Sequence, residues 1–396
     1  MAAVLTPCER FPAALSAHEE RVGLPHAMLT SDSVKLASLA IRETFRDEAA
    51  MKVSAYAAQT PDSPLAPWEF ERRSTGRTDV QIRIEYCGIC HSDIHFARNE
   101  WQFTSYPCVP GHEIIGHVTA VGADVSEYAV GDTVGVGCFV NSCRTCESCR
   151  EGLENYCEAG PRMTYGSFEQ DGSTPTYGGY STHIVVDKAF VLRIPEGLTP
   201  AEAAPLLCAG ITTYSPLRYV GLSEGYHLAV MGLGGLGHMA VKLGRSLGAK
   251  VTVLSQSPSK KSDAERLGAT DFVLTKGDDA YKSLAGRFDA VLDTISADHD
   301  VNGPLSSLKR DGTFIMVGAS PVPFQVATMP LIFGRKKFMG SLVGGIAETQ
   351  EMLDHCGARG LGSDIEMIEP NQINEAYERA VRGDVRYRFV IDCSKF

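Results

Sequence analysis

The longest apolar runs in this 396-residue chain are strand-sized, such as Leu228 to Leu233. None approaches the ~20 residues that a bilayer-spanning helix needs. Internal repeats and low-complexity tracts are missing as well. Basic residues are in the minority: 37 Lys and Arg against 48 Asp and Glu leave a formal charge of −11. That balance excludes a generic polyanion partner, because nucleic-acid backbones are bound by dense basic surfaces. It leaves room for a local basic pocket. No secretory signal is recognisable, and residues 1–50 hold five basic against seven acidic residues, too acidic for a mitochondrial transit peptide. The expectation is a cytoplasmic protein that neither spans a membrane nor binds nucleic acid.

What is present is a soluble globular composition, 44% hydrophobic and 21% charged, in a chain long enough for two domains. Residues 1–50 lack strand alternation and are expected to be an extension, either a disordered tail or an upstream start. Within them, Ser31–Phe45 has the capping and apolar spacing of a short helix, with Ser31 or Ser33 as cap and Val34, Ala37 and Ile41 on one face. From Met51 the pattern becomes short, apolar and punctuated by Gly, Pro and Asp. Strands are predicted over Met51–Tyr56, Val80–Tyr86, Ile114–Val121 and Thr133–Val136. Around Pro200–Tyr219 the period turns helical. A strand–helix alternation then runs to about Gly340, which predicts a parallel sheet with crossover helices. The tail after Gly345 reads as mostly helical and closes on a strand over Tyr387–Ile391.

Two motifs carry chemistry in their own right. The apolar strand His227–Met231 runs into Gly232-Leu233-Gly234-Gly235-Leu236-Gly237, followed by a helix-compatible stretch, Met239–Leu247, and a second strand, Lys250–Leu254. Glycine is required for a tight turn at Gly232, for close approach of a pyrophosphate at Gly234 and for helix packing at Gly237. The helix N-terminus supplies unpaired N–H groups to the phosphates. NAD binders usually place an acid at the end of the second strand. Here Ser255, Gln256, Ser257, Lys260 and Lys261 stand instead, with no acid before Asp263. Hydroxyls and lysines suit the 2′-phosphate of NADP, which a carboxylate would repel.

The second motif is Cys143, Cys146, Cys149 and Cys157, spaced C-x2-C-x2-C-x7-C. Crowding four of the twelve cysteines into fifteen residues favours a metal over a disulfide framework. Four thiolates on one loop close a tetrahedral shell with no open position, the mark of a structural zinc. A zinc ribbon reading nucleic acid is disfavoured, since Glu147, Glu151 and Glu154 offset Arg144 and Arg150.

These strings resemble the zinc-containing medium-chain alcohol dehydrogenases. The branch indicated is that of the cinnamyl alcohol dehydrogenases, and the likeness is greatest to bacterial broad-range NADPH-dependent aldehyde reductases. The resemblance covers Met51 to the C-terminus and rests on YCGICHSDIH (86–95), VPGHE (109–113), the four-cysteine lobe and GGYSTHIVV (178–186). PLLCAGITTYSPL (205–217), GLGGLGH (232–238), SQSPSKK (255–261) and DVRYRFVID (384–392) complete it. It implies an α/β protein: a GroES-like β-rich catalytic domain over 51–207, a doubly wound Rossmann NADP-binding domain over 208–344, and a segment 345–396 completing the catalytic domain. It implies a catalytic zinc held by Cys90, His112 and Cys208, with Glu113 close enough to coordinate or stabilise it, Asp93 orienting a ligand imidazole, and Cys87 a buried bystander. A proton relay would run from Ser92 through the cofactor ribose to His95. Gly232–Gly237 would meet the pyrophosphate, Ser255, Gln256, Ser257, Lys260 and Lys261 the 2′-phosphate region, and Thr294, Gly318 and Ser341, Leu342 and Val343 the nicotinamide half. Gln256 departs from the small hydroxyl residue common in the family.

The implied protein is a homodimeric, two-zinc, NADP(H)-dependent enzyme interconverting aldehydes and primary alcohols. Trp101, Phe103 and Tyr106 are candidates to line an apolar substrate pocket. The alternatives are an NAD-dependent zinc polyol or formaldehyde-type dehydrogenase, disfavoured by the missing strand-end acid, and a zinc-stabilised NADPH-binding protein without turnover.

Overall fold

The computed structural model describes residues 51–277, 280–320 and 322–396, so the extension 1–50, with its helix-like stretch Ser31–Phe45, lies outside the described residues. Two large sheets organise what is described. Residues 227–340 form a six-stranded sheet in the spatial order Asp271–Leu274, Lys250–Ser255, His227–Met231, Phe288–Asp293, Leu308–Met316, Lys337–Gly340. Every neighbouring pair in it is parallel. Such strands are covered on both faces by their crossover helices, which is why Leu228–Met231 reads as continuously apolar and is buried throughout. In chain order the sheet is 3-2-1-4-5-6, reversing direction between His227–Met231 and Phe288–Asp293. That switch opens a crevice at the carboxyl ends of the two strands.

The second sheet has seven strands and is mainly antiparallel. Its long strand Asp79–Gly88 shows period-2 alternation, with Val80, Ile82 and Ile84 buried. It pairs with Ile114–Val121 on one side and, on the other, with both His183–Asp187 and the C-terminal strand Arg388–Asp392. In the last pairing Val390 lies opposite Gly88 and Ile391 opposite Cys87. The chain thus leaves this sheet, builds the parallel one and returns to put its last strand beside the one that leads to Cys90.

The predicted strands appear as Met51–Ala57, Asp79–Gly88, Ile114–Val121 and Thr133–Val136, and the closing one as Arg388–Asp392. The helix after the glycine string starts two residues earlier than expected, at Gly237. Several strands were not foreseen, among them Ala66–Arg72, His183–Asp187 and Ile365–Ile368; the last is four residues long, too short for alternation to register, and is defined by its pairing with Arg388–Asp392. Among the described residues no helix is long and apolar enough to cross a membrane.

Candidate active site

The strand Asp79–Gly88 hands the chain to Ile89 and then to Cys90, which caps the short helix His91–Ala97 with extended backbone. Asp93, in the first turn, accepts the Cys90 N–H at 2.8 Å. Its carboxylate also accepts the Gly111 N–H at 3.0 Å and faces His112 Nδ1 at 3.1 Å. One fully buried carboxylate therefore fixes both the Cys90 turn and the His112 ring. Because Nδ1–H donates to Asp93, the lone pair of His112 Nε2 is left free. Gly111 sits at φ +105°, where a side chain would collide with the Gly179 nitrogen and Cys87 Sγ. Cys87 itself is buried beneath the loop.

Cys208 arrives from elsewhere, at the break between the turn Ala204–Leu207 and the helix Ala209–Tyr219. Its Sγ lies 3.9 Å from Cys90 Sγ, close to the ~3.8 Å expected for two sulfurs each ~2.3 Å from a tetrahedral zinc. The ligand atoms of Cys90, His112, Glu113 and Cys208 all lie within 4.8 Å of one another, and all four residues are buried. Glu113 has one oxygen on the Arg388 guanidinium and the other, Oε2, buried without a partner. That orphan oxygen sits against Gly88, where any side chain would displace it. Burial pushes the Glu113 carboxyl up to about 7, against the pull of Arg388. Hydrogen bonding from Cys208 holds the Cys90 thiol well below its ordinary range. Two sulfurs, an imidazole nitrogen and an unsatisfied carboxylate oxygen around one buried point are the donor set of a zinc-type cation.

The second cysteine group closes on itself. Cys143, Cys146, Cys149 and Cys157 also bring their sulfurs within 4.8 Å. Backbone N–H groups point at them: Cys146 N to Cys143 Sγ at 3.3 Å, Cys149 N to Cys146 Sγ at 3.5 Å and Cys143 N to Cys157 Sγ at 3.4 Å. N–H donation from Thr145 and Cys146 lowers the Cys143 thiol to about 6. Thiolates so solvated by backbone dipoles suit a cation. The eleven described cysteines are all free of disulfide bonds.

The glycine string occupies the crevice of the parallel sheet. Gly232 turns at φ +83°, and a Cβ at Gly237 would lie 2.1 Å from the Gly232 carbonyl oxygen. Gly234 faces open space, while a Cβ at Gly235 would run into Arg388. Leu233 is buried and Leu236 precedes the helix. Thr294 Oγ donates to the Met231 carbonyl at 2.7 Å, and Gly318 packs against Ile295 too closely for any side chain. A cavity of about 620 Å³ runs along the strand ends past Gly232, Ser255, Gln256 and Ser257. Ser257 Oγ meets Ser259 Oγ at 2.8 Å, and Lys260 Nζ lies 5.4 Å from the Tyr387 ring centre. Lys261 is exposed with only a loose 4.0 Å pair to Glu265. Asp263, the first acid downstream, is held by Arg386 at 2.8 Å.

Residues 76–196 match the family described as alcohol dehydrogenase GroES-like domain, and residues 235–357 the zinc-binding dehydrogenase family. NADP-dependent alcohol dehydrogenase C 1 of Mycolicibacterium smegmatis is 53% identical over 341 residues, 86% of this chain and 97% of the relative. A cinnamyl alcohol dehydrogenase from Sorghum bicolor superposes with a TM-score of 0.84 at 45% identity, covering 87% of this chain and 98% of that one. The crystal structure of CAD from Helicobacter pylori complexed with NADP(H) gives 0.82 at 39% identity, over 87% and 99%. The chain belongs to the zinc-binding alcohol dehydrogenase family.

Around the centre of this dehydrogenase stand residues named from the sequence and others, such as Arg388, Glu100 and Tyr165, that were not. Arg388 bridges the two motifs: it pairs with Glu113 and lies against Gly235. Burial works against its charge, yet Glu113 and the nearby thiols hold it above its ordinary range. Glu100 takes the Nδ1 face of His95. Ser92 Oγ is 3.7 Å from Cys90 Sγ. Tyr165 packs beside His112, ring centres 5.7 Å apart, and Phe96 lies edge-on to Tyr165, Trp101 and Phe103. Tyr106 stands behind this aromatic group, its hydroxyl donating to the Ala97 carbonyl at 2.9 Å. On the far side of the crevice, Ser341 N–H donates to Met316 O at 3.0 Å, Leu342 is exposed and Val343 sits at φ +40°.

Proposed function

We propose that this alcohol dehydrogenase uses NADP(H) to interconvert aldehydes and primary alcohols at the Cys90/His112/Glu113/Cys208 centre, with a second zinc held structurally by Cys143, Cys146, Cys149 and Cys157. The observation that carries the reading is the buried centre with one unsatisfied carboxylate oxygen, joined through Arg388 to the glycine string. A zinc ion there supplies Lewis acidity to a carbonyl or hydroxyl oxygen, and bound NADP(H) supplies or accepts the hydride.

The chain's own residues do the rest. Asp93 fixes the His112 ring so that Nε2 faces the metal position. Arg388 pairs with Glu113 and opposes the burial that pushes its carboxyl up to about 7, while its own position is tied to the pyrophosphate loop at Gly235. Ser92 Oγ, 3.7 Å from Cys90 Sγ and able to donate and accept, would hold the proton exchanged with the reacting oxygen beside a bound ribose. His95 exchanges it with solvent at Nε2, since Glu100 occupies Nδ1. Ser255, Gln256, Ser257, Lys260 and Lys261 receive the 2′-phosphate; the first acid downstream of them, Asp263, is already paired with Arg386. The M. smegmatis relative is named NADP-dependent and the H. pylori structure holds NADP(H), which supports the same choice. Phe96, Trp101, Phe103 and Tyr165 form the apolar wall for a hydrophobic aldehyde.

The catalytic domain comprises 51–207 completed by 345–396, with 208–344 binding the nucleotide. The edge strand Lys337–Gly340 and the preceding helix Thr328–Gly334, whose Ile332 and Phe333 are 70% and 81% exposed, form the homodimer face. The eleven described cysteines, none of them in a disulfide, suit the reducing cytoplasm. Steady-state oxidation of NADPH and of NADH with cinnamaldehyde, benzaldehyde and butanal tests the proposal. Turnover well above the NADH rate with NADPH supports it. No turnover at full zinc occupancy would leave a binding protein, and an NADH preference would return the polyol-type alternative.

A further inference from the structure

The four-cysteine lobe does more than close on its metal. Its last residues before Cys157 form a short turn, Glu154–Tyr156, and all three reach across to residues 342–346. Asn155 Nδ2 donates to the Leu342 carbonyl at 2.7 Å, while the Leu342 N–H donates to Tyr156 Oη at 3.0 Å. Glu154 Oε2 accepts the Ile346 N–H at 3.0 Å. Between these contacts the backbones touch: a Cβ at Gly345 would lie 1.7 Å from the Gly152 carbonyl oxygen.

One residue, Leu342, thus has both main-chain polar groups held by side chains 186 and 187 positions away, while its own side chain is exposed. Asn155 is buried, and its Oδ1 has no partner, so its only side-chain hydrogen bond is the one to Leu342. The residue after Leu342, Val343, is in left-handed backbone at φ +40°. A β-branched residue is held there only where its surroundings over-determine it. The bond that Asn155 donates to the Leu342 carbonyl, the bond that Tyr156 accepts from the Leu342 N–H, and the Gly152–Gly345 contact after them provide that determination.

We propose that Asn155 and Tyr156 are positioning residues for the nicotinamide end of NADP(H), acting through the backbone of Leu342 and Val343. The inference rests on the reading of Ser341–Val343 as the segment along the nicotinamide. It makes the four-cysteine metal a fixed point from which the cofactor's reactive end is set, while the adenosine end is held independently by Gly232–Gly237 and the Ser255–Lys261 loop.

The test uses zinc-loaded protein and the variants Tyr156→Phe and Asn155→Ala. Tyr128→Phe, which loses a comparable hydroxyl bond to the Val191 carbonyl elsewhere, is the control. Binding of NADPH is followed by the nicotinamide fluorescence, binding of 2′,5′-ADP by calorimetry, and folding by melting temperature. Each positioning variant should weaken NADPH by about threefold to tenfold, the range of one lost hydrogen bond, with 2′,5′-ADP and the control unchanged. Equal losses for both ligands would overturn the proposal in favour of a merely structural lobe, as would unchanged NADPH binding. Wild-type protein that bound 2′,5′-ADP and NADPH equally would overturn the reading of Ser341–Val343, and the proposal with it.

Discussion

Two cysteine-containing centres stand in one chain and are built in opposite ways. The lobe at Cys143–Cys157 draws four identical donors from one loop, and its sulfurs accept backbone N–H groups of that same loop. The centre at Cys90, His112, Glu113 and Cys208 draws mixed donors from three separate segments, is buried, and leaves a carboxylate oxygen unsatisfied. The first is complete by itself and acts on its surroundings only by holding shape, as it does at Leu342. The second depends on the whole fold to assemble and keeps unspent coordinating capacity, which is what a reacting centre requires. Completeness separates the staple from the site.

The comparison breaks most visibly at the lobe. Cys146→Ser should cost stability on the order of 5 kcal/mol, a share of the roughly 10–16 kcal/mol zinc contributes in small zinc-folded peptides. Turnover of the surviving fold at saturating NADPH should persist while the KM for NADPH rises. Thermal melting and kinetics on the folded fraction check this. Next, Arg388→Met strands the buried Glu113 carboxylate. It should cost about 3–5 kcal/mol in denaturant unfolding and weaken NADPH as well, because the same guanidinium lies against Gly235. Asp93→Asn keeps the packing but turns an acceptor of four bonds into a poorer one. Zinc affinity or kcat should fall by about tenfold to a hundredfold, read by chelator competition, with the four-cysteine lobe still loaded.

Smaller effects sharpen the picture. Glu100→Gln should lower kcat by roughly tenfold or less, since a weaker acceptor holds the His95 ring at Nδ1 less firmly, and steady-state kinetics checks this. His238 is fully buried, stacked on Tyr387 and bonded to Gly234 O and Ser363 Oγ. Burial lowers it from an ordinary 6.5 to about 3. The unfolded chain therefore binds a proton that the folded one refuses. The stability this group leaves intact above pH 6.5 is lost as the pH falls from 6.5 towards 3, by about 1.4 kcal/mol per unit at most. His238→Asn should flatten that part of the curve of unfolding free energy against pH.

Sequence legibility followed the range of the contacts. The glycine string announced itself because strand, turn and helix are neighbours, and Gly232 and Gly237 meet within six residues. The four-cysteine spacing was equally local. Cys90, His112 and Cys208 were named through family resemblance, since nothing in their own spacing brings them together. Arg388 was missed as a site residue because its partner Glu113 is 275 positions away and the register of the returning strand is not written in either segment. The Leu342 clamp was hidden for the same reason. Glu100 was within reach: a carboxylate five residues after His95 at the end of a short helix is a local signal that was passed over. Trp101 and Tyr106, named from the sequence, pack against a cluster of Phe96 and Tyr165 that was not named.

The most direct test is metal content and NADPH-dependent aldehyde reduction measured together on the Cys90→Ala variant and the wild type. The account predicts two zinc ions per wild-type chain, and in the variant one zinc, a retained fold and no turnover. A variant that kept both zinc ions and its turnover would contradict it.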